Sequence, residues 1–181
     1  MISNILSRII YGGGVLFDLA KWLILALIAF MILNTFFYSI FIVDGASMDP
    51  NFKDGEWILW NKNVYDKTNP KRGDIVVVNY PGDPNHKKYV KRVVGLPGDE
   101  IEIKEGLVYL DGDRLKEDYL RFDVDSSPDG NWKMGNGEYF VMGDNRPNSN
   151  DSRYFGAVKK RFIQGKSISI IFPRFRLTKD I

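Results

Sequence analysis

The sequence feature that most constrains the fold is a run of 22 residues without a charged side chain, from Trp22 to Val43. A helix that spans a lipid bilayer needs about 20 predominantly apolar residues, so this length predicts a transmembrane helix. The alternative is a cleaved secretory signal, for which the nearest small-residue site is Gly45-Ala46. The apolar core of such a signal is typically only about 7–15 residues long, so we expect a retained membrane anchor.

The charges before this run indicate which side of the membrane each part of the chain occupies. Arg8 and Lys21 precede it, and basic residues near a span favour the cytoplasmic side. We therefore expect residues 1–21 to lie in the cytoplasm or at the membrane interface there. Residues 22–43 would cross the cell membrane once, and residues 44–181 would form an extracytoplasmic domain.

The composition of the whole chain excludes several classes of site and partner. A net charge of +2, from 25 basic and 23 acidic residues, gives no reason to expect a nucleic-acid partner. The absence of cysteine excludes disulfides, thiolate catalysis and cysteine-ligated metals. The single histidine, His86, excludes a zinc site built on several histidines. We expect neither a cofactor nor a metal.

Short segments rich in β-branched and aromatic residues dominate the chain after the anchor. They favour strands at residues 57–60, 74–80, 100–104, 107–110, 138–142 and 167–172. Ile101 and Ile103 alternate with charged residues, which is typical of a strand buried on one face. No long amphipathic helix interrupts these strands, so the sequence predicts a mainly β domain, a sandwich or barrel. We interpret the polar residues 111–137 as a small insertion or flap.

Ser47 follows the anchor directly, so a nucleophile there would act on substrates at a membrane surface. A serine hydroxyl needs a base to take its proton, and the residues leave two candidates open. His86 lies in a turn-forming stretch, which makes it a poor member of a Ser/His/Asp triad. Lys91 lies in a strand, where burial would lower its pKa into the range of a usable base. The alternative for Lys91 is an edge-strand lysine that limits aggregation.

A further polar cluster, residues 143–153, follows a predicted strand and is dense in turn formers and hydrogen-bonding side chains. Two interpretations fit this cluster. It either holds an active site in place from behind, or it is an ordinary polar loop.

Four segments, taken in order behind the anchor, resemble the sequence boxes of type I signal peptidases, the membrane-bound serine/lysine proteases that remove signal peptides. The four are Ser47-Met48-Asp49-Pro50, residues 72–77, residues 89–99 and residues 143–153. The resemblance covers most of residues 43–172. A lysine at position 91 distinguishes the chain from reticulum-type relatives, which carry a histidine there.

The resemblance implies a role for each of six residues. Ser47 would be the nucleophile and Lys91 the general base. Ser149 would hydrogen-bond the lysine amine and orient it. Asp151 and Arg153 would form an ion pair beneath the site, and Asp144 would join that pair.

The same resemblance implies how the oxyanion and the substrate are held. The backbone N–H of Ser47 would bind the oxyanion. At position 45 many family members carry a serine whose hydroxyl contributes, and here the N–H of Gly45 or a water would replace that hydroxyl. The substrate peptide would lie extended, by β-addition, between the strand that leads into Ser47 and the strand that carries Lys91. Pockets that select small substrate residues would lie near Met48, Phe52, Tyr89 and Val90.

The implied function is that of signal peptidase I, a membrane-bound serine endopeptidase that cleaves exported preproteins after small residues, at Ala-x-Ala sites. Its partners would be signal peptides and the lipid bilayer, and it would work as a monomer. Two alternatives stay open at this point. One is a related Ser/Lys processing peptidase of the conjugation-pilus or organellar type, and the other is a non-catalytic, membrane-tethered β domain that binds peptides.

Overall fold

The computed structural model describes residues 2–79, 87–120 and 124–178. The chain divides into two compact units, of which the first ends at Tyr38 and the second begins at Ser39. The first unit is helical and the second is built mainly from β-strands.

The first unit is one helix, α1 (Ile2–Phe36), of 35 residues. No proline interrupts it, and leucine, isoleucine and alanine dominate its second half. Gly14–Leu33 is long and apolar enough to cross a membrane by length and composition. The side chains of this stretch are exposed, which suits a helix surrounded by lipid rather than by water.

The helix differs from the predicted anchor at both ends. It is continuous through Lys21, where the sequence predicts a boundary, and it ends at Phe36 rather than at Val43. Tyr38–Ile42 forms a strand, β1, in which exposed and half-buried side chains alternate. This alternation is the strand period, so the long apolar run supplies two elements of different kinds.

The second unit contains the remaining elements. The strands are β2 (Trp57–Asn61), β3 (Ile75–Asn79), β4 (Lys88–Gly95), β5 (Glu100–Lys104), β6 (Leu107–Leu110), β7 (Asp113–Arg114), β8 (Gly130–Lys133), β9 (Glu138–Met142), β10 (Val158–Lys159), β11 (Ile163–Phe172) and β12 (Arg176–Leu177). The short helices are α2 (Val64–Lys67) and α3 (Ser152–Phe155), with 3₁₀ turns at Arg146–Asn148 and Lys160–Phe162.

These strands form two antiparallel sheets. The larger has the order β1-β2-β11-β3-β4-β9-β10, with β12 pairing β11 as well, and the smaller has the order β7-β6-β5-β8. The large sheet is curled into a half-barrel. The prediction of a mainly β, barrel-like domain behind one apolar helix is therefore confirmed.

A buried apolar cluster joins the two sheets. Val94, Phe140 and Met142 of the large sheet pack with Ile101, Ile103 and Val108 of the small sheet. Gly95 makes this close approach possible, because a Cβ at that position would lie 2.9 Å from side-chain carbons of Ile101 and Phe140. The sheets are thus held at a separation that only glycine allows at this position.

The region predicted as a polar insertion or flap, residues 111–137, contributes to the small sheet. It contains β7 and β8, which form the two edges of that sheet. Residues 115–120 between them have no regular secondary structure, in keeping with their polar composition.

Candidate active site

Ser47 lies in a tight turn between β1 and β2. Asp49 N donates to Ala46 O at 3.1 Å and Phe52 N donates to Met48 O at 2.8 Å. Met48 and Phe52 are buried in an apolar cluster, whereas Ser47 is half-buried. The buried apolar side chains therefore anchor the turn in the core, and the half-buried serine lies nearer the surface of the domain.

Lys91 reaches this hydroxyl from the middle of β4. It pairs with Val76 of β3, and only 1% of the residue is exposed. Its Nζ lies 2.6 Å from Ser47 Oγ, which is hydrogen-bond distance. The structure thus brings together the two residues that the sequence predicts as nucleophile and base.

Burial lowers the pKa of Lys91 to about 8, although the negative charges of Asp151 and Asp144 oppose this change and raise it. An ammonium ion with few water contacts loses hydration that neither carboxylate restores. With a pKa near 8, about a tenth of the lysines are neutral at pH 7, instead of roughly one in a few thousand. A neutral Lys91 can accept the Ser47 proton.

The loop that follows β9 holds the nucleophile turn in place. Asn145 N donates to Ser47 O at 3.0 Å, and Asn145 Nδ2 donates to Ala46 O at 2.9 Å. A Cβ on Gly143 would lie 2.4 Å from Ser47 O and 2.2 Å from Ser149 Oγ. Only glycine permits so close a contact, so Gly143 and Asn145 are site residues that the sequence analysis did not single out.

The predicted ion pair between Asp151 and Arg153 is present and fully buried. Arg153 Nε and Nη2 donate to the two Asp151 oxygens at 2.8 and 2.9 Å. The second of these oxygens also accepts from Gly143 N at 2.9 Å. The pair therefore fixes both ends of the loop that lies against Ser47.

Asp144 does not join that pair, contrary to the prediction. Its oxygens accept from Arg92 Nε at 2.8 Å and from Arg92 Nη2 at 2.7 Å. One of them also accepts from Asn51 Nδ2 at 2.8 Å. The reason is the pairing of β4 with β9, which places Arg92 opposite Met142 and so next to the residues that follow β9.

Ser149 does not make its predicted hydrogen bond. Its Oγ is buried and has no hydrogen-bond partner among the described residues, while Lys91 Nζ is directed to Ser47 Oγ. A buried hydroxyl without a partner costs about 1–3 kcal/mol. Ser149 Oγ instead packs against the backbone of Gly143, which has no side chain to displace it.

The N–H of Gly45, one of the groups predicted to bind the oxyanion, has a side-chain partner in this structure. Gly45 N donates to Asp54 Oδ1 at 2.7 Å, and the residue has a φ of 92°, which turns this N–H towards Asp54. Within the described part of the chain, the Ser47 N–H donates no hydrogen bond. Of the two predicted donors, only that of Ser47 is available to an oxyanion.

Three of the four predicted substrate-contacting residues are core residues. Met48, Phe52 and Val90 are buried in one cluster. Tyr89 is half-buried and lines, with Lys91 and others, a small cavity of about 10 Å³. The apolar side chains near the dyad are thus buried beneath it, and Tyr89 lines one side of the cavity next to Lys91.

A histidine base and a metal ion are the other chemistries that bear on this site. His86 lies outside the described residues. Among those that are described, no group of three or more histidine, cysteine, aspartate or glutamate side chains could hold a metal ion. The described site itself presents a serine hydroxyl beside a buried amine.

Comparisons with known proteins show the family that this chain resembles. A family model described as signal peptidase, peptidase S26, matches residues 16–172. Signal peptidase I of Bacillus licheniformis is 38% identical over 168 residues, covering 87% of this chain and 89% of that protein. Signal peptidase I P of Bacillus subtilis subsp. natto is 39% identical over 170 residues, covering 88% and 91%. The crystal structure of a signal peptidase I from Enterococcus faecalis V583 is 34% identical, with a TM-score of 0.48, covering 54% of this chain and 96% of that one.

Proposed function

Since this chain belongs to the signal peptidase family, peptidase S26, and is a serine endopeptidase of that family, we propose that Ser47 and Lys91 are its catalytic dyad. We further propose that it cleaves exported preproteins after small residues, at Ala-x-Ala sites. Family membership supports signal peptide removal by a serine protease. The dyad, the cleavage specificity and the membrane setting are the proposed part.

The single observation that carries the proposal is the contact between Lys91 Nζ and Ser47 Oγ. The two atoms lie 2.6 Å apart, and they come from segments separated by 44 residues in sequence. The lysine is buried, and no carboxylate accepts a hydrogen bond from its amine among the described residues. A lysine that serves only as a structural cation would be expected to lie against a carboxylate.

The proposed reaction is acyl transfer in two steps. Neutral Lys91 takes the proton of Ser47 as Oγ bonds to the scissile carbonyl carbon, and the Ser47 N–H donates to the oxyanion. The charged lysine then gives its proton to the leaving amine as the C–N bond breaks. In the second step water loses a proton to Lys91 and attacks the acyl ester, and Ser47 leaves with the proton that the lysine returns.

We propose that an extended substrate lies along β4, beside the dyad. β4 pairs with β3 from Lys88 to Arg92, and its pairing with β9 begins at Arg92. The proposed place for a peptide that adds as a strand is therefore beside the part of β4 that precedes Arg92.

The proposed setting is the extracytoplasmic surface of the cell membrane. The apolar helix α1 is long enough to be the anchor. Within the β unit, Trp57, Phe172 and Phe175 are exposed, and the rings of Trp57 and Phe172 lie 5.7 Å apart. Exposed aromatic residues of this kind favour the interface between lipid and water. The proposed partners are thus signal peptides and the bilayer itself.

The test uses the full-length protein in detergent micelles with a preprotein that carries an Ala-x-Ala site. The wild type should cut at that site, and Ser47→Ala and Lys91→Ala should both fail. Lys104→Ala, which removes an exposed lysine of β5, should cut like the wild type. Cleavage by Lys91→Ala at the wild-type rate would refute the assignment of the base. Equal cleavage by wild type and Ser47→Ala would refute the dyad altogether.

A further inference from the structure

Two buried arginines flank the Ser47–Lys91 pair, and a single short segment of the small-sheet region binds both of them. Arg92 follows Lys91 in β4, and Arg146 belongs to the loop that lies against Ser47. The segment is residues 116–120, which lie between β7 and β8 and are called the brace below. No residue of the brace belongs to the dyad or to its immediate hydrogen-bond partners.

Glu117 of the brace holds Arg146. The guanidinium donates to Glu117 Oε1 at 2.6 Å and to Oε2 at 3.0 Å. The Arg146 side chain is fully buried and that of Glu117 is 11% exposed. Burial lowers the pKa of Arg146, but hydrogen bonds and charge attraction from Glu117 outweigh this and raise it above its ordinary value. Glu117 is thus the carboxylate that permits a cation at this place.

Arg146 connects Glu117 to the loop that lies against the nucleophile. Its Nε donates to Gly143 O at 3.0 Å, and its backbone carbonyl accepts from Arg153 Nη2 at 2.6 Å. Gly143 in turn lies directly against the carbonyl of Ser47. The path from Glu117 to the nucleophile turn therefore passes through one arginine and one glycine.

Tyr119 of the brace holds the other arginine. The Arg92 guanidinium lies 4.0 Å from the centre of the Tyr119 ring, in the geometry of a cation–π contact. The Tyr119 carbonyl accepts from Asn51 Nδ2 at 2.9 Å, and its hydroxyl donates to Glu117. Tyr119 thus contacts the strand that carries the base, beside Lys91, and the turn that carries the nucleophile.

We propose that Glu117 and Tyr119 are positioning residues of the peptidase, which hold Ser47 and Lys91 in register through Arg146 and Arg92. The inference rests on the proposed dyad. It assigns to the brace a role in the geometry of the site and in keeping Lys91 buried, because the brace contacts both the arginine of the loop beside Ser47 and the arginine that follows Lys91. The region that the sequence marks as a polar insertion is thereby part of the active-site support.

This role has a kinetic signature that a purely structural role lacks. If the brace is loosened, water reaches Lys91 and the burial that lowers its pKa is partly lost. The acidic limb of the activity profile should then move to higher pH, towards the ordinary lysine value. A change that only reduces the folded fraction lowers activity by the same factor at every pH and moves no limb.

The experiment compares three variants of the full-length protein in detergent micelles, with a preprotein carrying an Ala-x-Ala site. Glu117→Gln removes the charge and Tyr119→Leu removes the ring. Asp118→Asn is the matched control, because Asp118 lies between them, has a side chain that is 74% exposed and pairs with the exposed Lys116. We expect kcat to fall about tenfold in the first two with KM within about twofold. The midpoint of the acidic limb of their pH–activity profile should move up by about half to one pH unit. The control should match the wild type.

The outcomes separate this inference from the proposed function. If wild type and Asp118→Asn cleave, and both brace variants cleave equally well with the same pH profile, the positioning role is refuted while the dyad stands. A loss of activity that follows the folded fraction with an unmoved limb also refutes it. If Glu117→Gln does not fold, Tyr119→Leu against Tyr119→Phe decides, because the phenylalanine keeps the ring over Arg92 and should restore both kcat and limb. Failure of the wild type to cleave refutes the proposed function, and the inference with it.

Discussion

Lys91 and Arg92 are neighbours on β4 and both are buried, but their hydrogen-bond partners differ. Lys91 faces a neutral hydroxyl, Ser47 Oγ, at 2.6 Å. Arg92 faces a carboxylate, Asp144, with contacts of 2.8 and 2.7 Å. Burial alone therefore does not assign a role to a basic residue. A buried amine that has no carboxylate as hydrogen-bond partner favours its neutral form, which catalysis needs. A buried guanidinium that is hydrogen-bonded to a carboxylate stays charged and stabilises the fold.

Replacement of Lys91 by methionine should produce the largest effect on activity of any change to this strand. The side chain keeps its length but loses the base, so kcat/KM should fall by about a thousandfold or more. The free energy of unfolding should stay within about 1 kcal/mol of the wild type, because no partner charge is left unpaired. Preprotein cleavage and urea unfolding in detergent measure the two quantities. A large loss of stability would mean that Lys91 is a structural cation like its neighbour.

Replacement of Arg92 by methionine should have a large effect on stability. Asp144 would be left buried without its cation, which should lower the free energy of unfolding by about 3–5 kcal/mol. Urea unfolding of the same detergent preparation measures this. The matched control is Lys116→Met, which breaks an ion pair with side chains 83% and 74% exposed and should change stability by at most about 1 kcal/mol. Equal effects of the two substitutions would remove the distinction between the two faces of β4.

Replacement of Gly143 by alanine should disturb Ser47, which is the hydrogen-bond partner of Lys91, while both basic residues stay unchanged. The added Cβ would press on Ser47 O and Ser149 Oγ, so the nucleophile turn must shift. A displacement of this kind should lower kcat by about tenfold or more, measured by single-turnover cleavage. Gly14→Ala is the control, because a Cβ there meets no atom within 4 Å. Wild-type turnover by Gly143→Ala would show that the loop does not position Ser47.

The sequence predicts the elements of this domain better than it predicts their partners. Alternating and β-branched residues identify segments such as Ile75–Asn79 and Glu100–Lys104, because strand periodicity is a local property. The helix end was missed, since residues 22–43 are equally apolar on both sides of Phe36. Only packing against the sheet decides where such a run becomes a strand.

The hydrogen-bond partners of the polar residues depend on the register between paired strands. No local sequence pattern specifies that register. Asp144 was expected near Arg153, but the pairing of β4 with β9 brings it to Arg92. The sequence predicts that Gly45 faces the oxyanion, but Asp54 accepts a hydrogen bond from its N–H. The sequence places Glu117 in a flap, because a buried carboxylate and a solvated one look alike in a sequence.

The pH dependence of kcat/KM tests the central claim most directly, because the account requires a neutral Lys91. With a folded-state pKa of about 8, the neutral fraction is small at pH 6 and about half at pH 8. The rate should therefore rise roughly fiftyfold between these values, about tenfold per pH unit at first. A limb with its midpoint near 8, measured on the full-length protein with a preprotein substrate, is the predicted result. A profile that is flat from pH 6 to 8, or one still rising tenfold per unit towards pH 10, would contradict the assignment of Lys91 as the buried base.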